Sequence, residues 1–345
     1  LSAELTEIGL NASYQLSSSF RLAGQVVYLD GGNRYNDGIR VDYALLDWSA
    51  YSNENWQVNL YLGRYKNYHW LYSSTRDIPF TRPSIILPQS VYFDGFRDIA
   101  VGADGVAVKV RHSSDSLGDF DFNLSTGVSS ISDEQTKILL SDFALGDMKQ
   151  TYDLQASLYW QPLLSPWRLG IALLDGDFEY NSAEQGDTFI NANITLQRYI
   201  ANVLYEGESW EFSSEIFQEH FIFSDFYYDG FSQDTVGQGM YVQSQYKVNN
   251  DLTLLLRYEH FYANKDDKKG HDLEDNTQGL VPSYFAYQHD ATVGFSYDLA
   301  ENLRMQFEYH YIEGTARLTP VVSPNPQINN SKNWQLWAAQ LMYWF

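Results

Sequence analysis

The chain has no cysteine, which excludes a disulfide framework, a thiolate metal site and a cysteine nucleophile. It has no stretch approaching the ~18 consecutive apolar residues of a transmembrane helix. Basic residues are scarce: 22 Lys and Arg stand against 44 Asp and Glu, a formal net charge of -22. Such a surface repels nucleic acid, whose phosphates need a basic counterpart. No G-x-S-x-G elbow or H-E-x-x-H pair occurs, and His69, His112, His220, His260, His271, His289 and His310 are scattered outside any recognised motif. The expectation is a protein that is not an enzyme and holds no cofactor and no metal. A mean hydropathy of -0.38 matches an ordinary water-soluble chain. One membrane class shares that average, the transmembrane β-barrel, because its strands alternate lipid-facing apolar with lumen-facing polar residues.

Aromatic residues are abundant, at 16% with Tyr leading, and Tyr suits both strands and membrane–water interfaces. They fall into a period of two. Ile8, Leu10, Ala12, Tyr14 and Leu16 alternate with Gly9, Asn11, Ser13 and Gln15. Phe120, Phe122 and Leu124 oppose Asp119, Asp121 and Asn123, and Tyr152, Leu154, Ala156, Leu158 and Trp160 oppose Asp153, Gln155 and Ser157. In "LRMQFEYHY", Leu303, Met305, Phe307, Tyr309 and Tyr311 face away from Arg304, Gln306, Glu308 and His310. Successive side chains of a strand point to opposite faces, so each segment has one apolar side.

Short connections, after Leu16, Tyr51, His112, Trp160, Tyr205, Val248 and Leu299, take turns with long ones at about 30–39, 66–104, 129–149, 176–187, 222–237, 263–285 and 314–332. Tight turns at one rim and long loops at the other is the plan of outer-membrane barrels. Tyr51 with Trp56, Trp160 with Trp167 and Tyr205 with Trp210 flank short turns, as an interfacial girdle requires. About fifteen strands can be counted, and bacterial barrels have even numbers. The reading is an all-β fold: a single transmembrane antiparallel β-barrel domain over 1–345 of about sixteen strands, with one strand expected before Leu1. An irregular hairpin around 187–205 is the alternative explanation of the odd count.

Segment 66–104 is too long for an ordinary connection. Pro79, Pro83 and Pro88, many aromatics and "SIIL" at Ser84–Leu87 favour a packed loop, since an exposed apolar run would form a sticky patch. Interleaved charges make Arg76, Asp77, Arg82, Asp94, Arg97 and Asp98 the candidates for a pore constriction.

This loop and the aromatic C-terminus resemble those of Gram-negative porins, and "TRDIPFTRPSIILPQSVYFDGFRD" is similar to a segment of porin-like proteins from gammaproteobacteria. The resemblance implies a third loop that narrows the channel and a terminal Phe345 read as an assembly signal by the barrel-assembly machinery. It also implies an outer-membrane location among lipids and lipopolysaccharide, and a homotrimer.

If the apolar parity faces lipid, the other parity faces the lumen. Arg21, Lys109, Arg111, Arg168, Arg198, Arg257, Arg304, Glu211 and Glu215 are then pore-wall residues. Arg64 breaks the rule, either because it stands near the upper rim, where the cost of a charge is small, or because a bulge shifts the register there. The function expected is passive diffusion of small hydrophilic solutes and ions, with the acidic balance hinting at cations. Two alternatives stand: a substrate-specific channel for an anionic or sugar-like solute, sliding past Tyr68, Trp70, Tyr92 and Phe93, and a surface receptor without an open pore.

Overall fold

The structure, a computed structural model, describes residues 6–31, 37–141, 143–183, 185–318 and 331–345. Fifteen strands lie in one sheet, in sequence order, each antiparallel to its neighbour. They are β1 (Thr6–Gln15), β2 (Phe20–Asp30), β3 (Gly38–Ser52), β4 (Trp56–Lys66), β5 (Gly102–Ser114), β6 (Gly118–Val128), β7 (Asp147–Gln161) and β8 (Trp167–Asn181). The series continues with β9 (Ala192–Glu206), β10 (Trp210–Ser224), β11 (Ser232–Lys247), β12 (Leu252–Tyr262), β13 (Tyr287–Ala300), β14 (Leu303–Gly314) and β15 (Asn333–Tyr343). Three short helices sit in the long connections: α1 (Arg97–Val101), α2 (Asp133–Leu140) and α3 (His271–Asn276). The strand expected before Leu1 lies outside the described residues. Region 187–205 is not an irregular hairpin; most of it is the unbroken β9.

Parity follows the sequence pattern through the lower two-thirds of the sheet. Ile8, Leu10, Leu62, Leu158, Ile171, Leu256, Trp337 and Leu341 are exposed on the outer face. At the short-turn rim the aromatics touch: Trp56 stacks on His112 at 4.1 Å, Trp210 meets Tyr246 at 4.4 Å and Trp167 meets Tyr205 at 4.8 Å between ring centroids. This girdle marks one edge of the lipid-facing band. Arg64 marks the other. It lies opposite Asp104 in the β4–β5 register and donates to it twice, from Nε at 2.9 Å and Nη2 at 2.6 Å. Between these limits a charge has no partner and no water. Leu60→Arg, on the outward parity midway up β4, is therefore expected to lower the unfolding free energy in lipid by about 2–4 kcal/mol. Urea unfolding in vesicles checks this, with Arg64→Leu as a near-neutral control.

Above that band the polarity turns inside out. β7 to β11 are 15 or 16 residues long, against the ~9–11 residues that cross a bilayer. In their upper parts the outer face carries Asp175, which accepts from Gln197 at 3.0 Å, and Asp177, which accepts from Thr195 at 2.6 Å. The inner face carries buried Leu174, Phe178, Tyr180, Ile194 and Leu196, packed with Phe93, Phe96 and Ile99 of the 66–104 segment. These extensions correct the sequence boundaries at 176–187 and 222–237, where β8 runs on to Asn181 and β10 to Ser224. A strand leaving lipid no longer needs an apolar outer face, so the alternation that betrays it disappears.

Candidate channel interior

The connection between β4 and β5 folds inward and is held by its own backbone. Three inward-pointing wall carboxylates accept from loop amides. Glu215 of β10 takes Leu71 N at 2.9 Å, Glu259 of β12 takes Ser90 N at 2.6 Å, and Glu308 of β14 takes Ile85 N at 2.5 Å and Ile86 N at 3.2 Å. Arg257 answers with the opposite polarity, donating to Ser84 Oγ at 3.0 Å and the Ile86 carbonyl at 3.1 Å. The Tyr92 hydroxyl also donates to Glu215, as does Tyr241 at 3.0 Å. Ser84–Leu87 are buried, as their apolar content requires. Turns within the loop pair part of its amides, and the wall carboxylates accept from others that would otherwise be buried without a partner.

The six loop charges do not form one ring around open water. Arg76 pairs with Asp94 at 2.7 Å, and Arg82 reaches Glu7 of β1 at 2.5 Å. Arg97 pairs with Asp77, which also meets Lys66 at 3.1 Å, and Lys66 in turn meets Asp42 of β3. Burial opposes ionisation of Asp77, but Arg97 and Lys66 outweigh it and hold its carboxyl below the usual carboxylate range. Asp98 caps the far end, accepting from Ser132 N at 3.1 Å and Ser132 Oγ at 2.6 Å and pairing with Arg40 at 3.3 Å. Ser132 is the N-cap of α2, accepting from Gln135 N at 3.2 Å. Trp70, Tyr92 and Phe93 are buried, so of the proposed sliding surface only Tyr68 lines a cavity along β2–β7, while Phe93 lines a separate apolar cavity near the long-loop rim.

The wall residues divide in two. Arg198, Arg257 and Glu215 are fully covered by the loop. Arg21, paired with Asp47 at 2.7 Å, and Arg111, paired with Asp121 at 2.9 Å, stay half-exposed. Lys109 lies 4.4 Å over the Tyr68 ring and Arg168 4.4 Å over Tyr159. Arg304, bound to Asp298 at 2.5 Å, and Glu211 line a cavity at the short-turn rim. Phe345 is 99% exposed, on the outward parity just past β15.

Beside the clamped loop, cavities also lie along β2–β7. At the long-loop rim a cavity of about 460 Å³ is floored by Asp42, Asp77, Arg97 and Asp98. Lys66, paired to two of these, also lines a separate small cavity of about 10 Å³ with Tyr61, Tyr68, His69 and Lys109. Tyr61 and Lys109 then open onto a cavity of about 170 Å³ shared with Arg21, Asp47, Gln57, Asn59 and Arg111. A sequence search restricted to charge on strands passes over Tyr61 and Asn59, although the parity of Gln57 and Asn59 already points β4 inward. Lys66 falls to the 66–104 connection in the sequence, although it ends β4.

No family model matches the chain, and no curated protein matches it. Solved structures do. OmpF of Salmonella typhi, in complex with daunomycin, is similar at a TM-score of 0.58 and 12% identity, over 98% of this chain and 89% of that one. The anion-selective porin of Comamonas acidovorans gives 0.56 at 10% identity, over 91% and 80%. The outer-membrane channel DcaP of Acinetobacter baumannii gives 0.54 at 13%, over 99% and 86%. The fold is that of outer-membrane porins. OmpT, an outer membrane protein of Vibrio cholerae, shares it at 0.56 and 16% identity, over 99% of this chain and 90% of that one.

Proposed function

We propose that this chain is a porin of a Gram-negative outer membrane, through which small hydrophilic solutes diffuse past the 66–104 loop. The observation that carries the reading is the set of three cavities along β2–β7. Lys66 of the smallest is paired with Asp42 and Asp77 of the outer one, and Tyr61 and Lys109 line both the smallest and the inner one. We take the smallest as the neck of a passage. In this reading Asp77, Arg97 and Asp98 belong to the outer mouth, while Lys66, Tyr68 and Lys109 set the narrowest point. Arg76, Asp94 and Arg82 hold the loop's shape. Vesicles carrying the protein should swell in small sugars at rates that fall as the sugar grows; no swelling contradicts the reading.

The neck and inner cavity are lined by Arg21, Lys66, Lys109 and Arg111 against Asp47 alone. Arg21, Lys66 and Arg111 are each paired with a carboxylate, whereas Lys109 has none within ion-pair distance among the described residues. A solute at the narrowest point thus meets the Lys109 charge, whatever the total charge of the loops outside, since surface charges are screened within about a Debye length of ~8–10 Å. The passage therefore favours anions, opposite to the hint from net charge. Lys109→Glu is expected to turn the reversal potential in a salt gradient from the anionic to the cationic sign. An unchanged sign places the selective point elsewhere. A substrate-specific channel is the second reading, favoured by the narrowness of the neck, whose side chains must move aside for any sugar-sized solute; saturable flux distinguishes it from free diffusion.

A further inference from the structure

The inward face of a porin wall is ordinarily polar, because it borders water. Near the long-loop rim this chain does the reverse. A cavity of about 380 Å³ lies among Phe178, Leu196, Phe221 and Phe223 of the wall, Phe96 of the loop and Ile138 of α2. Its volume falls in the range of small-molecule sites. The lining is apolar but for a few groups, and among its charged members are Arg317, just after β14, and Glu219 of β10.

Arg317 is built in rather than draped over the surface. Its guanidinium lies 3.5 Å from the ring centre of Phe261 and 4.5 Å from that of Phe93. It donates through Nη2 to the Ser90 carbonyl at 3.3 Å and to Glu219 at 3.4 Å. The side chain is 4% exposed, and its Nε has no hydrogen-bond partner among the described residues. Glu219 is already bound by Arg198, which is itself stacked over Trp70 and Phe217 at 5.0 Å. One carboxylate thus serves two guanidiniums. The next carboxylate, Glu259, is taken by Ser90 N at 2.6 Å and by Arg257 at 3.5 Å. Arg317 is thereby left only partly neutralised against an apolar wall, 3.4 Å from a carboxylate that it shares. Burial pulls the Arg317 pKa down to about 10, which still leaves it protonated at neutral pH.

We propose that this cavity is a binding site for monocarboxylates with an apolar body, an aromatic ring system or a short alkyl chain, whose carboxylate pairs with Arg317 while the body lies among the phenylalanines. The site is separate from the neck along β2–β7 and rests on the channel reading only in that solutes reach the vestibule from the long-loop side. A buried guanidinium that shares its one carboxylate with Arg198 is incompletely neutralised; a carboxylate of matching shape both completes its pairing and fills the apolar space. A neutral analogue fills the space alone, and a small acid such as acetate supplies only the charge.

The test uses the full chain in lipid nanodiscs, with 1-naphthylacetate, its isosteric alcohol 1-naphthylethanol and acetate as probes in titration calorimetry. The acid should bind at least about tenfold more tightly than the alcohol, the value of one charge-assisted hydrogen bond, and acetate should not bind measurably. Arg317→Met should bring acid and alcohol together, and Ile194→Trp, which fills the cavity, should remove both. Equal affinities in the unmodified protein, or a preference for the acid that survives Arg317→Met, overturn the proposal. Because the wild-type comparison of acid with alcohol decides by itself, a variant that fails to fold does not rescue the idea. Conductance measured on the same preparation separates the two claims: current without naphthylacetate binding removes the site and keeps the channel, whereas binding without current does the opposite.

Discussion

A variant in which residues 71–96 are replaced by a short Gly-Ser linker is expected to conduct several-fold more current than the full chain. Lys66 and Gly102 are register partners at the top of β4 and β5, so a brief linker closes the hairpin without strain on the sheet. What leaves with the segment is the material that crowds the lumen: Tyr72, Leu87, Val91 and Tyr92, packed on Phe217 and Tyr241 of the wall. What remains is a wall of Glu215, Arg257, Glu259 and Glu308, whose charges are then free to take water. A sheet of this strand number encloses enough space for an aqueous channel. Conductance equal to that of the full chain, in protein that retains its strand content, would mean that the loop does not limit flow.

The second large effect concerns Glu215. Its carboxylate accepts from Leu71 N at 2.9 Å, from Tyr241 at 3.0 Å and from Tyr92, and the residue is fully buried. Glu215→Leu strands these donors. Each buried unsatisfied donor costs about 1–3 kcal/mol, so the loop and not the sheet should yield. The expected signs are flickering, noisier current and protease cleavage within 71–96 at concentrations that spare the unmodified protein. Glu215→Gln keeps one acceptor oxygen and should fall between the two. Quiet current and full protease resistance in Glu215→Leu would show that the loop is held by its apolar contacts alone.

The sequence makes the barrel legible for a physical reason that is also its limit. Lipid enforces an apolar outer face, so wherever a strand crosses the bilayer the period of two is written out, as in β14 and β15. The alternation of short and long connections follows from the same requirement. Beyond the bilayer the constraint lapses: Asp175 and Asp177 face outward and Leu174 and Phe178 inward, and a parity rule anchored in lipid reads these positions backwards. The vestibule cavity is built from Phe178 and its counterparts on the neighbouring strand ends, Ile194, Leu196, Phe221 and Phe223, which is why it is invisible before folding. The loop's inward course was foreshadowed by its buried "SIIL" run, but its charges were not assignable. Arg76, Asp94, Arg97 and Asp77 find each other across turns of irregular backbone, where no periodicity says which partner is near. The cap of α2, Ser132 with Gln135 three positions later, is a helix-start signal that a search for strands ignores.

The measurement closest to the central claim is the current through single molecules of the purified chain in a planar lipid bilayer, with a salt gradient across it. The account predicts discrete openings, smaller than those of the variant lacking 71–96, with a reversal potential of the anionic sign. Correctly folded protein that inserts and passes no current, with or without the loop, would contradict it.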